Sequence, residues 1–140
     1  MDSCIFCKIL KGNIPCSKVY EDNAVLAFLD LNPASHGHTL IVPRKHAATL
    51  LDLEPGTGDA IMQAMRKVGK ALQEVTGAAG FNCIQNNFAA AGQEVMHLHW
   101  HVIPRFEGDN LIQAWKPGSY EGLDRMAQMA ARLNSVISSM

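Results

Sequence analysis

The chain has no run of like charge, no apolar stretch near the ~20 residues that span a bilayer, no internal repeat and no low-complexity segment. Each absence excludes something. Twelve basic and thirteen acidic side chains leave a formal net charge of −1, so there is neither the basic face that nucleic acid requires nor a polybasic membrane-binding arm. The opening segment MDSCIFCKILKG has no apolar stretch long enough for a secretory leader, and a cytoplasmic protein is expected. No linker divides the 140 residues, of which 48% are hydrophobic; that predicts one domain over 1–140 with a core of its own. Cysteine is sparse. Cys4, Cys7, Cys16 and Cys83, in a chain read as cytoplasmic, are expected to be thiols or metal ligands rather than disulfides.

What is present is histidine, concentrated. Three of the six histidines fall on alternate positions of HLHWHVIPR at 97–105. Alternation is the period of a β-strand, so His97, His99 and His101 are expected on one face, with Leu98, Trp100 and Val102 on the other. Burying three imidazoles together is costly unless they do something, such as ligating a metal or handling an anion. On an extended strand His97 and His101 lie ~13 Å apart, too far for all three to share one ion whose ligands sit about 2.0–2.1 Å from it. At least one histidine is therefore left for other chemistry.

Pattern places the elements. Strands are predicted at 17–21 and 24–30 around the turn Asp22-Asn23, and at 39–42, where Pro43 stops the run. A helix is predicted over 59–75, because Ile61, Met65, Val68, Leu72 and Val75 repeat at 4-3-4-3 spacing before Gly77. Strands at 81–86 and 95–103 are expected to form an antiparallel hairpin across the Ala/Gly-rich loop 87–92. A last amphipathic helix, 122–137, carries Leu123, Met126, Ala130, Leu133 and Ile137 on one stripe. The fold class that follows is α+β: a five-stranded antiparallel sheet, a long central helix and a C-terminal helix.

The second chemical feature is Cys4-x-x-Cys7, a spacing used for zinc, for thiol redox chemistry, or for nothing. Redox pairs usually open a helix after a buried strand, and here only a short segment precedes. Zinc needs two more ligands, and His46 and His97 are the plausible pair. A closed Cys2His2 site would be structural and would clip the N-terminal segment onto the sheet. That division leaves His99 and His101 free.

The run His97-Leu98-His99-Trp100-His101-Val102-Ile103 resembles the His-φ-His-φ-His-φ-φ motif of the histidine triad (HIT) family, in which φ is apolar. The segments at 4–22, FLDLNP at 28–33, HGHTLIVPRKH at 36–46 and NNFAAAGQEV at 86–95 are similar to the branch of histidine triad nucleotide-binding proteins. The resemblance covers about 4–105. It implies a homodimer with sheets joined across the interface, a purine nucleotide substrate and cleavage at the α-phosphate. Position by position, it implies that His99 attacks phosphorus and becomes nucleotidylated, while His101 and His38 hydrogen-bond the phosphate and assist the leaving group. Asn86 and Gln93 match phosphate-side contacts, with backbone N–H groups around Gly92 adding to them. Asp30 matches the ribose carboxylate, and Ile5, Phe6, Phe28 and Leu31 the base pocket. Zinc is expected to be structural, and no organic cofactor is expected.

Two features depart from that pattern. Glu94 stands where many relatives place Ser or Thr, so a carboxylate either turns away from phosphate or makes the site tolerate less negative charge. The tail after Arg105 carries no motif that names the leaving group; its Trp115 reads as a packed aromatic or as a group reaching a neighbouring active site. The expected function is a phosphoramidase or dinucleoside polyphosphate hydrolase acting on adenosine nucleotides. The alternatives are a non-catalytic nucleotide-binding adaptor and a metallohydrolase that uses the triad on a catalytic metal.

Overall fold

A computed structural model describes residues 3–111 and 116–140; Trp115 lies outside the described residues. In chain order the elements are α1 (Ile5–Leu10), β1 (Lys18–Glu21), β2 (Val25–Leu29), β3 (Thr39–Pro43), α2 (Thr57–Thr76), β4 (Gly80–Gln85), β5 (Trp100–Arg105) and α3 (Leu123–Ser138). All five strands belong to one antiparallel sheet in the order β1-β2-β3-β5-β4. The α+β class holds, and the 81–86/95–103 hairpin appears as β4 paired with β5.

One sheet face packs on α2. The 4-3-4-3 stripe of that helix supplies Ile61, Met65, Val68 and Leu72, which bury against Val25, Ala27, Ile41 and Val102, with Trp100 packed alongside. Gly77, at φ +73°, caps the helix C-terminus, where its missing Cβ removes the penalty of left-handed backbone. The opposite sheet face carries Leu26, Phe28, Leu40 and Val42, covered by Phe6 of α1. In the ladder, Leu40 sits opposite both Phe28 and His101, so the face under α1 is the face that carries His101.

One strand boundary needs correction, and two features add to the expected fold. The last sheet strand starts at Trp100 rather than at 95, because the chain bends at 95–97 and both His97 and His99 lie outside the ladder. There the backbone is held by the Leu98 N–H donating to Ala47 O at 2.7 Å. The N-terminal segment is helical: Cys4 caps α1 by accepting the Cys7 N–H on Sγ at 3.3 Å. Six residues hold too little periodicity to reveal such a helix in sequence. The stripe of α3 is not packed into the core, and Leu123, Met126, Leu133 and Ile137 are all exposed. Among the described residues no helix is long and apolar enough to cross a membrane.

Candidate active site and metal centre

The three triad histidines are divided between two sites. His97 is completely buried and points Nδ1 at Cys4 Sγ (3.3 Å), Cys7 Sγ (3.5 Å) and His46 Nδ1 (3.1 Å). Cys7 Sγ lies 3.3 Å from His46 Nδ1, and the four ligand atoms fall within 4.8 Å of one another. A tetrahedron with Zn–S of about 2.3 Å and Zn–N of about 2.0–2.1 Å has edges of roughly 3.3–3.6 Å between two nitrogens or a nitrogen and a sulfur, and of about 3.8 Å between the sulfurs. The observed spacings match. The protonation pattern matches too: His97 Nε2–H donates to Pro43 O at 2.9 Å, which leaves the Nδ1 lone pair facing the thiols. Burial, and then the neighbouring Cys4, hold the Cys7 thiol protonated above its usual range. The residues present therefore fit a Cys2His2 ion. The pair opens α1, and each thiol lies beside a histidine Nδ1.

His99, also buried, turns its ring the other way. Its Nδ1–H donates to the carbonyl oxygen of His97 at 2.7 Å, so the free lone pair is on Nε2. The edge of Phe6 packs at 5.2 Å between ring centroids and fixes the imidazole plane. His101 lies 5.0 Å from His99, centroid to centroid.

A relay of donors fixes the proton on His101. Gly37, at φ +105°, turns the chain before β3, and a Cβ there would strike Leu72 at 2.8 Å. The following residue, His38, is thereby tucked in so that the Ala34 N–H donates to its Nδ1 at 3.0 Å. His38 must then carry its proton on Nε2, which donates to His101 Nδ1 at 2.9 Å. The remaining proton of His101 is on Nε2. Burial, then repulsion from His99 and His38, depresses the His101 pKa to about 4. Burial lowers His38 as well, against the opposing pull of Asp30, whose Oδ2 lies 3.6 Å from His38 Nε2. Asp30, His38 and His101 also form a compact group of possible ligands, but the proton on His38 Nε2 occupies the lone pair a metal would need there.

His99, His101, Asp30, Asn86, Ile5, Phe6, Phe28 and Leu31 all line one cavity of about 450 Å³. Phe6 and Phe28 form its floor as members of the core, whereas Leu31 stands almost wholly in solvent at the rim. His38 is placed behind His101, reaching the cavity through it.

Gln93 differs from expectation. It is buried, its amide donates to Ala48 O (2.6 Å) and Val95 O (3.0 Å), and its Oε1 accepts the Phe88 N–H (2.7 Å). Its polar atoms are thus spent on shaping the loop that ends β4 rather than on a phosphate. The N–H groups of Gly92 and Gln93 are spent in the same loop, on Ala89 O and Phe88 O. Sequence reasoning missed Ile9, Ile14, Pro15, Cys16 and Ser17, which wall the cavity from α1 and the loop after it. The apolar Phe6/Ile9 spacing was the only available signal.

A family profile described as HIT domain matches residues 11–108. The chain is 46% identical over 110 residues to a protein named adenylylsulfatase HINT3 from Arabidopsis thaliana, a match covering 79% of this chain and 56% of that longer protein. It is 46% identical over 103 residues to the adenosine 5′-monophosphoramidase hnt1 of Schizosaccharomyces pombe, covering 74% of each. The crystal structure of a Zn-bound histidine triad family protein from Mycobacterium smegmatis superposes with a TM-score of 0.76 at 35% identity, covering 96% of this chain and 98% of that one.

Proposed function

Because the chain belongs to the HIT domain family, we propose that it is a nucleotide hydrolase that cleaves at the α-phosphate of an adenosine-type nucleotide through a covalent nucleotidyl-histidine on His99. The observation that carries this reading is the 2.7 Å bond from His99 Nδ1–H to His97 O, which leaves a nucleophilic Nε2 on a buried, fixed ring at the cavity wall. The relatives named for adenylylsulfate and adenosine monophosphoramidate support the substrate class.

His99 Nε2 attacks the α-phosphorus, and the bond from phosphorus to the leaving group breaks. The positive charge on the phosphorylated ring is stabilised at Nδ1–H by the His97 carbonyl. His101 Nε2–H, neutral and aimed by His38, donates to a non-bridging phosphate oxygen. Water then attacks phosphorus and frees His99. Over both steps one water is consumed, its OH ending on phosphorus and its proton on the leaving group. Asp30 accepts from the ribose hydroxyls, and Phe6, Phe28 and Ile5 take the base.

Zinc on Cys4, Cys7, His46 and His97 supplies a structural tie between α1 and the sheet, with no position left for water. We also propose that the chain, one HIT domain over 1–140, works as a homodimer. The exposed apolar stripe of α3 and the open edge of β4, where Phe81 is exposed, are the surfaces that support it.

The test is turnover of a fluorogenic adenosine phosphoramidate, with trapped protein analysed by intact mass. Wild type should show an acid-labile nucleotidyl adduct mapping to His99. His99→Ala should lose turnover yet keep nucleotide affinity within a few-fold, since a nucleophile acts mainly in the transition state. Retention of turnover by His99→Ala would overturn the covalent mechanism.

A further inference from the structure

Glu94 lines the same cavity as His99, His101 and Asn86, two residues beyond Gly92 on the segment that leads into the triad. Among the described residues its side chain has no hydrogen bond and no ion pair. Among the described residues the cavity lining contains two carboxylates, Asp30 and Glu94, and no lysine or arginine. His101, which accepts on Nδ1 from His38 and offers an N–H on Nε2, adds no cation to offset them. Asp30 is already engaged by the Asn32 N–H at 2.9 Å and lies beside His38. Glu94 is the carboxylate left to act on whatever is attached to the phosphate.

Resting on the hydrolase reading above, we propose that Glu94 determines leaving-group specificity, favouring nucleoside phosphoramidates whose amine carries a second, positive charge and disfavouring polyphosphate leaving groups. The chemistry separates these classes. With a phosphoramidate, the nitrogen takes one proton from solvent, the His99 Nε2–P bond forms, the P–N bond breaks to release a neutral amine, and the attacking water later returns that proton. A cationic group elsewhere on that amine keeps its positive charge on the leaving side throughout, and Glu94 attracts it. With a polyphosphate, the P–O bond breaks and the bridging oxygen leaves as an additional negative charge. Glu94 then repels both the bound substrate and the departing group, with no side-chain cation in the lining to compensate. An exposed carboxylate on the cavity wall changes rates by about tenfold rather than by many decades.

The experiment compares wild type with Glu94→Gln on three adenylates: one of 1,4-diaminobutane (cationic arm), one of butylamine (neutral arm), and diadenosine polyphosphate. Removing the charge while keeping the shape should lower kcat/KM for the first about tenfold, leave the second within about threefold, and raise the third about tenfold. The wild-type preference for the cationic arm over the neutral one should also shrink as salt rises, and that salt dependence should vanish in Glu94→Gln. A steric role would not respond to salt. Binding provides an arm independent of turnover: Glu94→Gln should tighten α,β-methylene ADP several-fold relative to AMP. Equal changes for all three substrates, or an unchanged ratio of the two binding affinities, would overturn the role of Glu94. Absence of turnover in wild type would overturn the hydrolase instead, with the binding arm still deciding on Glu94.

Discussion

His97 faces two sites at once: its ring nitrogen Nδ1 lies 3.3 Å from Cys4 Sγ, while its carbonyl oxygen accepts the Nδ1–H of His99 at 2.7 Å. One residue thus serves as a candidate metal ligand through its side chain and orients the candidate nucleophile through its backbone. The two sites share a scaffold but not a reaction. A ligand set without an open position has no water to activate, and the His99 ring is set by a peptide carbonyl that needs no metal to accept a hydrogen bond.

Metal removal is therefore expected to cost stability before it costs chemistry. Protein purified without chelator should carry one zinc per chain by elemental analysis. Chelation should cost about 3 kcal/mol or more, lowering the melting temperature by on the order of 10 °C, because binding free energy at such a site is folding free energy. Below the new midpoint, turnover should stay within a few-fold. Complete loss of turnover in still-folded protein, restored by zinc, would show that the metal acts in the reaction itself.

Asp30→Ala should weaken ribonucleotide binding more than deoxyribonucleotide binding. The carboxylate lines the cavity with Oδ1 already accepting the Asn32 N–H, and its remaining lone pairs are what the ribose hydroxyls would use. Such a charge-assisted bond is worth about 1.5–3 kcal/mol. Calorimetric affinities for AMP and its 2′-deoxy form decide the matter, and equal losses would remove Asp30 from ribose recognition.

Acid should destabilise the fold through the buried histidine pair. His101 is depressed to about 4 by burial and by His99 and His38, and burial lowers His38 as well. In the unfolded chain both protonate near pH 6.5. A depressed folded pKa means that the unfolded state binds more protons below 6.5, so this contribution is full above that pH and is lost as pH falls from 6.5 towards 4. Melting temperature should decline over that window, and the decline should be shallower in His101→Gln. Identical slopes would show that the pair titrates alike in both states.

Gln93→Ala should behave as a folding and positioning defect. The substitution removes the donor to Ala48 O and Val95 O and the acceptor for the Phe88 N–H. Phe88 itself sits at φ +72°, a conformation that costs a non-glycine residue about 1–3 kcal/mol and persists only where neighbours enforce it. A stability loss of about 3 kcal/mol or more is expected, with turnover falling as the Asn86–Val95 loop relaxes. Unchanged melting with weaker phosphate binding would instead restore the phosphate contact implied by family resemblance.

Periodicity alone was enough to determine α2, the β4–β5 hairpin and the apolar face of Leu98, Trp100 and Val102, because each rests on a pattern repeated locally along the chain. Spacing along an assumed strand gave the expectation that three histidines do not share one ion, although of the three only His101 lies on β5. Which histidine goes where was decided by tertiary structure. The tautomers of His97, His99 and His38 are set by Pro43 O, His97 O and the Ala34 N–H, and two of those three partners are neighbours only through a bend or a turn, while the third lies 54 residues away. The fate of Gln93 and Glu94 was beyond the sequence for the same reason. Adjacent in the chain, both polar, they are sent in opposite directions, Gln93 into the loop it holds and Glu94 onto the cavity wall. Residue type states what a side chain can bond to, whereas only the folded backbone determines which partner is within 3 Å.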